Sequence, residues 1–160
     1  DAGNTTTLSN YLKLLSDSGL LGGLEKFANN EIRKRASIPK FQVFNNALLT
    51  AQSGFKFNEI RLNPKEWGRL VESAVGAHLI NHSVTERFKL YYWRDRNDEV
   101  DYILEQYGKV IGLEVKSGRR GENKGMTVFN ERYRPHKIFL VGTGGIPIEE
   151  FLKINPIQFF

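Results

Sequence analysis

The chain has 160 residues, 40% of them apolar and 12% aromatic, enough for a packed core in one ordinary domain or two small ones and too many for a disordered chain. A formal charge of +5 permits a polyanionic partner without demanding one. No apolar run approaches a membrane span, the opening DAGNTTT is no signal peptide, and the lack of cysteine excludes disulfides, thiolate catalysis and Cys-ligated zinc while fitting a reducing cytoplasm.

In chain order, Leu8, Tyr11, Leu12 and Leu15 recur at helical spacing and predict a helix over about Thr7–Asp17, stopped by Gly19. Leu20–Phe27 and Phe41–Phe44 read as strands joined by the polar connection ANNEIRKRASI. Helix, strand, basic turn and strand make the recognition helix and wing of a winged helix, so residues 1–57 are expected to be a partial winged-helix segment. A chain that opens on Asp, already entering a helix, is expected to be a piece of a longer protein. Arg33, Lys34 and Arg35 would let the wing contact phosphates. The other reading is a solvated turn or a docking surface, because the apolar positions of the helix leave few side chains for reading bases.

Residues 58–160 are expected to form the second unit. Asn63 supplies an N-cap, Pro64 the first helical position and Glu66 a capping-box acid, which predicts a helix from 64 to about 81. Trp67, Leu70, Val71, Ala74, Val75 and His78 share one apolar stripe, with Glu72 on its border. There Glu72 either reaches the polar end of a sheet or is an ordinary exposed helix acid. Strands follow at 90–94, 99–105 and 110–116, then a helix at about 123–132, a buried strand at 137–141, and a tail with a short helix and an extended end. His78 and His82 share a helix face, but without the Glu of an HExxH motif a hydrogen-bonded, partly buried pair is expected rather than a zinc site.

The chemistry gathers on two of these strands. Gln106, Tyr107, Gly108 and Lys109 form a short polar hairpin connection. Period-two alternation puts Glu114 and Lys116 on one face and sends Leu113 and Val115 into a core, while antiparallel pairing brings Asp101 beside them. Two carboxylates there would bind Mg²⁺, and Lys116 would orient or deprotonate a water and offset charge on a scissile phosphate. The bland alternative is a solvated cross-strand ion pair. Glu99, two residues before Asp101, is an extra ligand, a brake on substrate approach or simple strand-edge solvation. A basic rim of Arg94, Arg96, Arg119, Arg120 and Lys124 would draw phosphates or merely solubilise a loop. No GxxxxGK[ST] loop occurs, so no ATP site is expected in this chain.

The pattern YYWRDRNDEVDYIL…GKVIGLEVKSG, preceded by GRLVESAVGAHLI, resembles the PD-(D/E)XK nuclease-like domain at the C-terminus of a family of bacterial and archaeal AAA+ ATPases of largely unknown function. Upstream, LSNYLKLLSDSGLLGGLEKF and PKFQVFNNALL resemble the winged-helix segment that joins the ATPase to that domain. The resemblance implies an α/β fold with a restriction-endonuclease-like αβββαβ core. It makes Glu72 the helix acid, Asp101 the strand acid and Glu114, Val115 and Lys116 the (D/E)xK element, with Val100 where the motif has Pro. It also implies an AAA+ ATPase module in the same chain. Two functions follow from it. One is Mg²⁺-dependent hydrolysis of DNA phosphodiesters, endo- or exonucleolytic, with Asp101 and Glu114 as metal ligands, Lys116 acting on the water and Glu72 as an auxiliary acid. The other is a catalytically inactive nuclease-fold module for DNA or protein interaction attached to an ATPase.

Overall fold

The computed structural model describes residues 5–28, 37–118 and 124–160. Arg33, Lys34, Arg35, Arg119 and Arg120 lie outside the described residues. The elements run α1 (Thr5–Asp17), β1 (Leu21–Lys26), β2 (Lys40–Val43), α2 (Ala47–Ser53), α3 (Phe57–Leu62), α4 (Pro64–Glu86), β3 (Lys89–Asp95), β4 (Asp98–Gln106), β5 (Lys109–Lys116), α5 (Lys124–Tyr133), β6 (Lys137–Gly142), α6 (Ile148–Phe151) and a 3₁₀ turn (Pro156–Phe159). Every expected strand lies within a residue of its predicted limits.

The strands make one open, mixed, six-stranded sheet in the order β2-β1-β3-β4-β5-β6. Pairings β1/β2, β3/β4 and β4/β5 are antiparallel, whereas β1/β3 and β5/β6 are parallel. Tyr107 and Gly108 both take positive φ, 48° and 78°, which is the backbone a two-residue hairpin requires between Gln106 and Lys109. Strands from both sides of the expected 57/58 division share this sheet. β1 meets β3 through Glu25↔Tyr91 and Lys26↔Tyr92, and the Tyr92 hydroxyl donates to the Ile38 carbonyl at 2.6 Å.

Helix α4 begins as expected, with the Asn63 side chain accepting from the Lys65 and Glu66 N–H groups. It runs to Glu86 rather than about residue 81, because Asn81 does not cap the end. Its amide instead donates to the carbonyls of Phe44 and Ala77, each at 2.8 Å, and the helix stops where Arg87 turns left-handed at φ 58°. The two short helices α2 and α3 were not anticipated. Between them they bury only Ile60, so no apolar period marks them in the sequence.

Helices α4 and α5 cover opposite faces. Val75 and Leu79 of α4 pack with Tyr102, Leu104, Ile111 and Leu113, whereas Met126 and Phe129 of α5 pack with Tyr91, Trp93, Val100 and Ile103. Ile103 faces α5 between two residues that face α4, as strand alternation demands. Trp93 and Phe129 meet edge to face at 5.4 Å, and truncating either to Ala is expected to cost about 3–5 kcal/mol.

Candidate active site

A fault in the sheet creates the site. Register between β3 and β4 shifts between Tyr91↔Ile103 and Trp93↔Val100, so Asp101 and Tyr102 together stand opposite the single residue Tyr92. Such a bulge bends its strand, ends pairing and re-aims a side chain. The β4/β5 ladder accordingly stops at Tyr102↔Leu113. Beyond it the Asp101 carboxylate takes over, Oδ2 accepting from the Val115 N–H at 2.8 Å. Asp101 therefore sits in the seam where β4 and β5 part, open toward Glu72 on the α4 side and toward Glu114 on the other. Its side chain is 12% exposed. Burial first, then the charges of Glu114 and Glu72, push its carboxyl up to about 7 against the pull of Lys40 and the Val115 N–H.

Glu114 stands on β5 between Leu113 and Val115, both of which pack on the α4 side. Its own side chain follows Gly112 to the α5 face, where a Cβ on that glycine would lie 3.3 Å from Phe129. Only 10% of the Glu114 side chain is exposed. Oε1 accepts from Lys116 Nζ at 2.7 Å, while Oε2 is buried with no hydrogen-bond partner. Burial raises the Glu114 carboxyl, opposed by Lys116 and by the Asp101 N–H, which closes no hydrogen bond on Oε2. For Lys116, burial works downward, but the bond to Glu114 together with the charges of Glu114, Asp101 and Glu99 outweighs it, and the ammonium is held above its ordinary value. Lys116 is thus equipped to orient water or offset negative charge rather than to accept a proton.

On the opposite flank, Glu72 meets a cation absent from the sequence-based site. Lys40 Nζ of β2 donates to Glu72 Oε1 at 2.5 Å and to the Asp101 carbonyl at 3.4 Å, stands 4.0 Å from Asp101 Oδ1, and lies 4.8 Å from the centre of the Tyr102 ring. Two residues further along β2, buried Gln42 clamps the same flank. Its amide donates to the Ser73 carbonyl at 3.0 Å and to the Val43 carbonyl at 2.9 Å. The single Tyr102 hydroxyl proton is shared between the Glu72 carbonyl at 2.9 Å and Gln42 Oε1 at 3.0 Å. Gly76 makes this approach possible, since a Cβ there would fall 2.0 Å from Gln42 Oε1 and 2.3 Å from the Tyr102 hydroxyl.

A cleft of about 650 Å³ opens over Asp101, with Lys26, Lys40, Arg94 and Arg96 facing Glu72 and Glu99 across it. Arg94 Nε lies 3.9 Å from Glu99 Oε2, a loose and exposed pair. Lys124 points elsewhere, 77% exposed and 3.9 Å from Asp98. Of the expected site residues, Glu72, Asp101, Arg94, Arg96 and Glu99 line the cleft, Glu114 and Lys116 pair with each other outside its lining, and Lys124 stands apart beside Asp98, while Lys26, Lys40, Gln42 and Tyr102 are additions. Of these additions, Lys26, Gln42 and Tyr102 lie on expected strands and Lys40 directly precedes one, but none was expected at the site. His78 Nε2 lies 2.9 Å from the Ile154 carbonyl, with its ring 4.6 Å from that of His82, as expected of a partly buried pair.

Among the described residues no group of three or more His, Asp or Glu side chains is gathered closely enough to hold a metal ion. Asp101 and the orphaned Glu114 oxygen nevertheless form a hard, oxygen-only donor pair of the kind Mg²⁺ takes while keeping its other positions for water or substrate.

Fold and cleft define a mixed α/β domain whose acidic, lysine-braced seam lies beneath a partly basic mouth. Residues 67–160, more than half the chain, match the family described as Domain of unknown function (DUF4143), and the chain belongs to that family. The family is typically found C-terminal to AAA domains in prokaryotic ATPases. No curated protein and no solved structure matches the chain. The matched stretch contains Glu72, Asp101, Glu114 and Lys116; Lys40 and Gln42 precede it. No helix among the described residues is long and apolar enough to cross a membrane.

Proposed function

We propose that the seam is the centre of a PD-(D/E)XK-type, Mg²⁺-dependent nuclease domain that hydrolyses DNA phosphodiesters and works beside an AAA+ ATPase module of the same chain. The observation that carries this reading is the buried, unpartnered Glu114 Oε2 beside Asp101, whose carboxyl burial and neighbouring acids drive up to about 7. A buried excess of negative charge is costly unless a cation relieves it. Asp101 and Glu114 would hold Mg²⁺, which supplies Lewis-acid polarisation of a phosphoryl oxygen and a more acidic water. Lys116, protonated, orients that water and offsets charge developing on the phosphate. Arg94, Arg96 and Lys26 draw the flanking phosphates into the mouth of the cleft. Helix α1, β1 and β2 follow the order of a recognition helix and wing, and Lys26 of β1 and Lys40 of β2 line the cleft.

A panel of single-stranded, duplex, nicked and branched DNA, incubated with Mg²⁺, Mn²⁺ or EDTA, tests this reading. Metal-dependent cleavage by the wild type, reduced at least about 100-fold in Asp101→Asn, is expected. Absence of cleavage on every form, or cleavage undiminished in the variant, contradicts it. The lysine partners of Glu72 and Glu114, together with the lack of a three-acid group among the described residues, favour a second reading, a catalytically inactive module that binds DNA or protein. DNA binding unaffected by EDTA and without turnover supports that alternative.

A further inference from the structure

Glu72 and Glu114 both flank Asp101, yet among the described residues only Glu72 faces a cation from a different element. Lys40 reaches the cleft from β2 and contacts the Glu72 carboxylate at 2.5 Å, the Asp101 carbonyl at 3.4 Å and the face of the Tyr102 ring at 4.8 Å. Its side chain is 29% exposed. It is no loose surface lysine, because Gln42, on the same face of β2 by strand period, bonds the Ser73 carbonyl next to Glu72. The strand bearing the ammonium and the helical turn bearing its carboxylate are therefore clamped together.

We propose that the Lys40 ammonium is a built-in cation that fills the Glu72 side of Asp101, so that the centre takes a single divalent ion on the Glu114 side. Glu72 is then the counter-ion and positioning residue of Lys40 rather than a metal ligand. This inference rests on the nuclease reading of the same seam. Charge counting supports it. Glu72, Asp101 and Glu114 give three negative charges against Lys40 and Lys116, a net of −1 when all are ionised, which one divalent ion turns to +1 and two would turn to +3. A second ion at Glu72 would also have to displace an ammonium already in contact with its ligand. On the other flank, Glu114 Oε2 accepts no hydrogen bond.

Mn²⁺ titration by calorimetry, with bound ions counted by electron paramagnetic resonance, tests the proposal on the full chain. The set is wild type, Lys40→Met, which keeps the apolar stem and removes the charge, Lys40→Met with Glu72→Gln, and Glu114→Gln. Wild type is expected to bind one ion, lost in Glu114→Gln. Lys40→Met is expected to bind a second, which the added Glu72→Gln removes again. A wild type that already binds two ions, or a Lys40→Met protein that stays at one or loses it, overturns the role of Lys40. No ion in wild type but one in Lys40→Met overturns the single-ion centre and the nuclease reading, leaving Lys40 only as a blocker of the Glu72 side, and no ion in any variant sinks both. Lys40→Gln removes the same charge should the Met variant not fold, and Lys40→Arg is expected to remain at one ion.

Discussion

The two acids beside Asp101 carry the same charge and meet opposite fates. Glu72 rides on the long helix with its side chain 35% exposed, and β2 brings it Lys40 and Gln42, which Tyr102 of β4 helps to clamp. Glu114 is embedded in the sheet, and among the described residues its cation is Lys116 of its own strand, two residues on, reaching one of its oxygens. Leaving a buried carboxylate half-satisfied costs stability, and hydrogen-bonded networks elsewhere in the fold must offset that cost. The contrast leaves the Glu72 flank closed by Lys40 and the Glu114 flank with one unpartnered oxygen, the place the proposed cation would fill.

The largest expected effect breaks the unfinished flank: Glu114→Gln should weaken Mn²⁺ binding by more than about 100-fold in calorimetry, and retained affinity would place the ion elsewhere. Next comes pH. The folded value for Asp101, about 7, lies above its unfolded 3.8, so its contribution to metal-free stability is full below about pH 4 and is lost as pH rises through 7. Denaturant unfolding should show a decline on the order of a few kcal/mol across that window, and Asp101→Asn should flatten it. Metal affinity should rise over the same range as the proton is displaced.

The closed flank should respond through stability instead. Gly76→Ala drives a methyl into Gln42 and the Tyr102 hydroxyl and should cost about 1–3 kcal/mol in denaturant unfolding. Tyr102→Phe strands Gln42 Oε1 and should cost about 1–2 kcal/mol, with wild-type Mn²⁺ affinity retained. Smallest of all, Lys13→Ala removes an exposed pair with Asp17 remote from both flanks and should change stability by less than about 0.5 kcal/mol.

The strands, α4, α5 and the hairpin at Tyr107–Gly108 were legible in the sequence because each carries a period or a turn signature. The trio of Asp101, Glu114 and Lys116 was legible because a hairpin of known register joins their strands. The bulge at Asp101–Tyr102 was not, since it arises from the pairing of β4 with β3 and leaves no mark in local composition. Lys40 escaped for a related reason. A lysine at the start of a short strand looks like any edge residue until β1 attaches that strand to β3 and swings it over the cleft. The apolar stripe of α4 was drawn too narrowly, for Leu79 and Ile80 are buried as well, one against the sheet core and the other under β1.

The central claim is that a cation completes the seam between Asp101 and Glu114. Anomalous diffraction from a crystal soaked in Mn²⁺ tests it most directly. The expected result is one peak at about 2.1 Å from a carboxylate oxygen of each residue, with Lys40 still on Glu72. A seam without a peak, Glu114 Oε2 remaining unpartnered, would contradict the account.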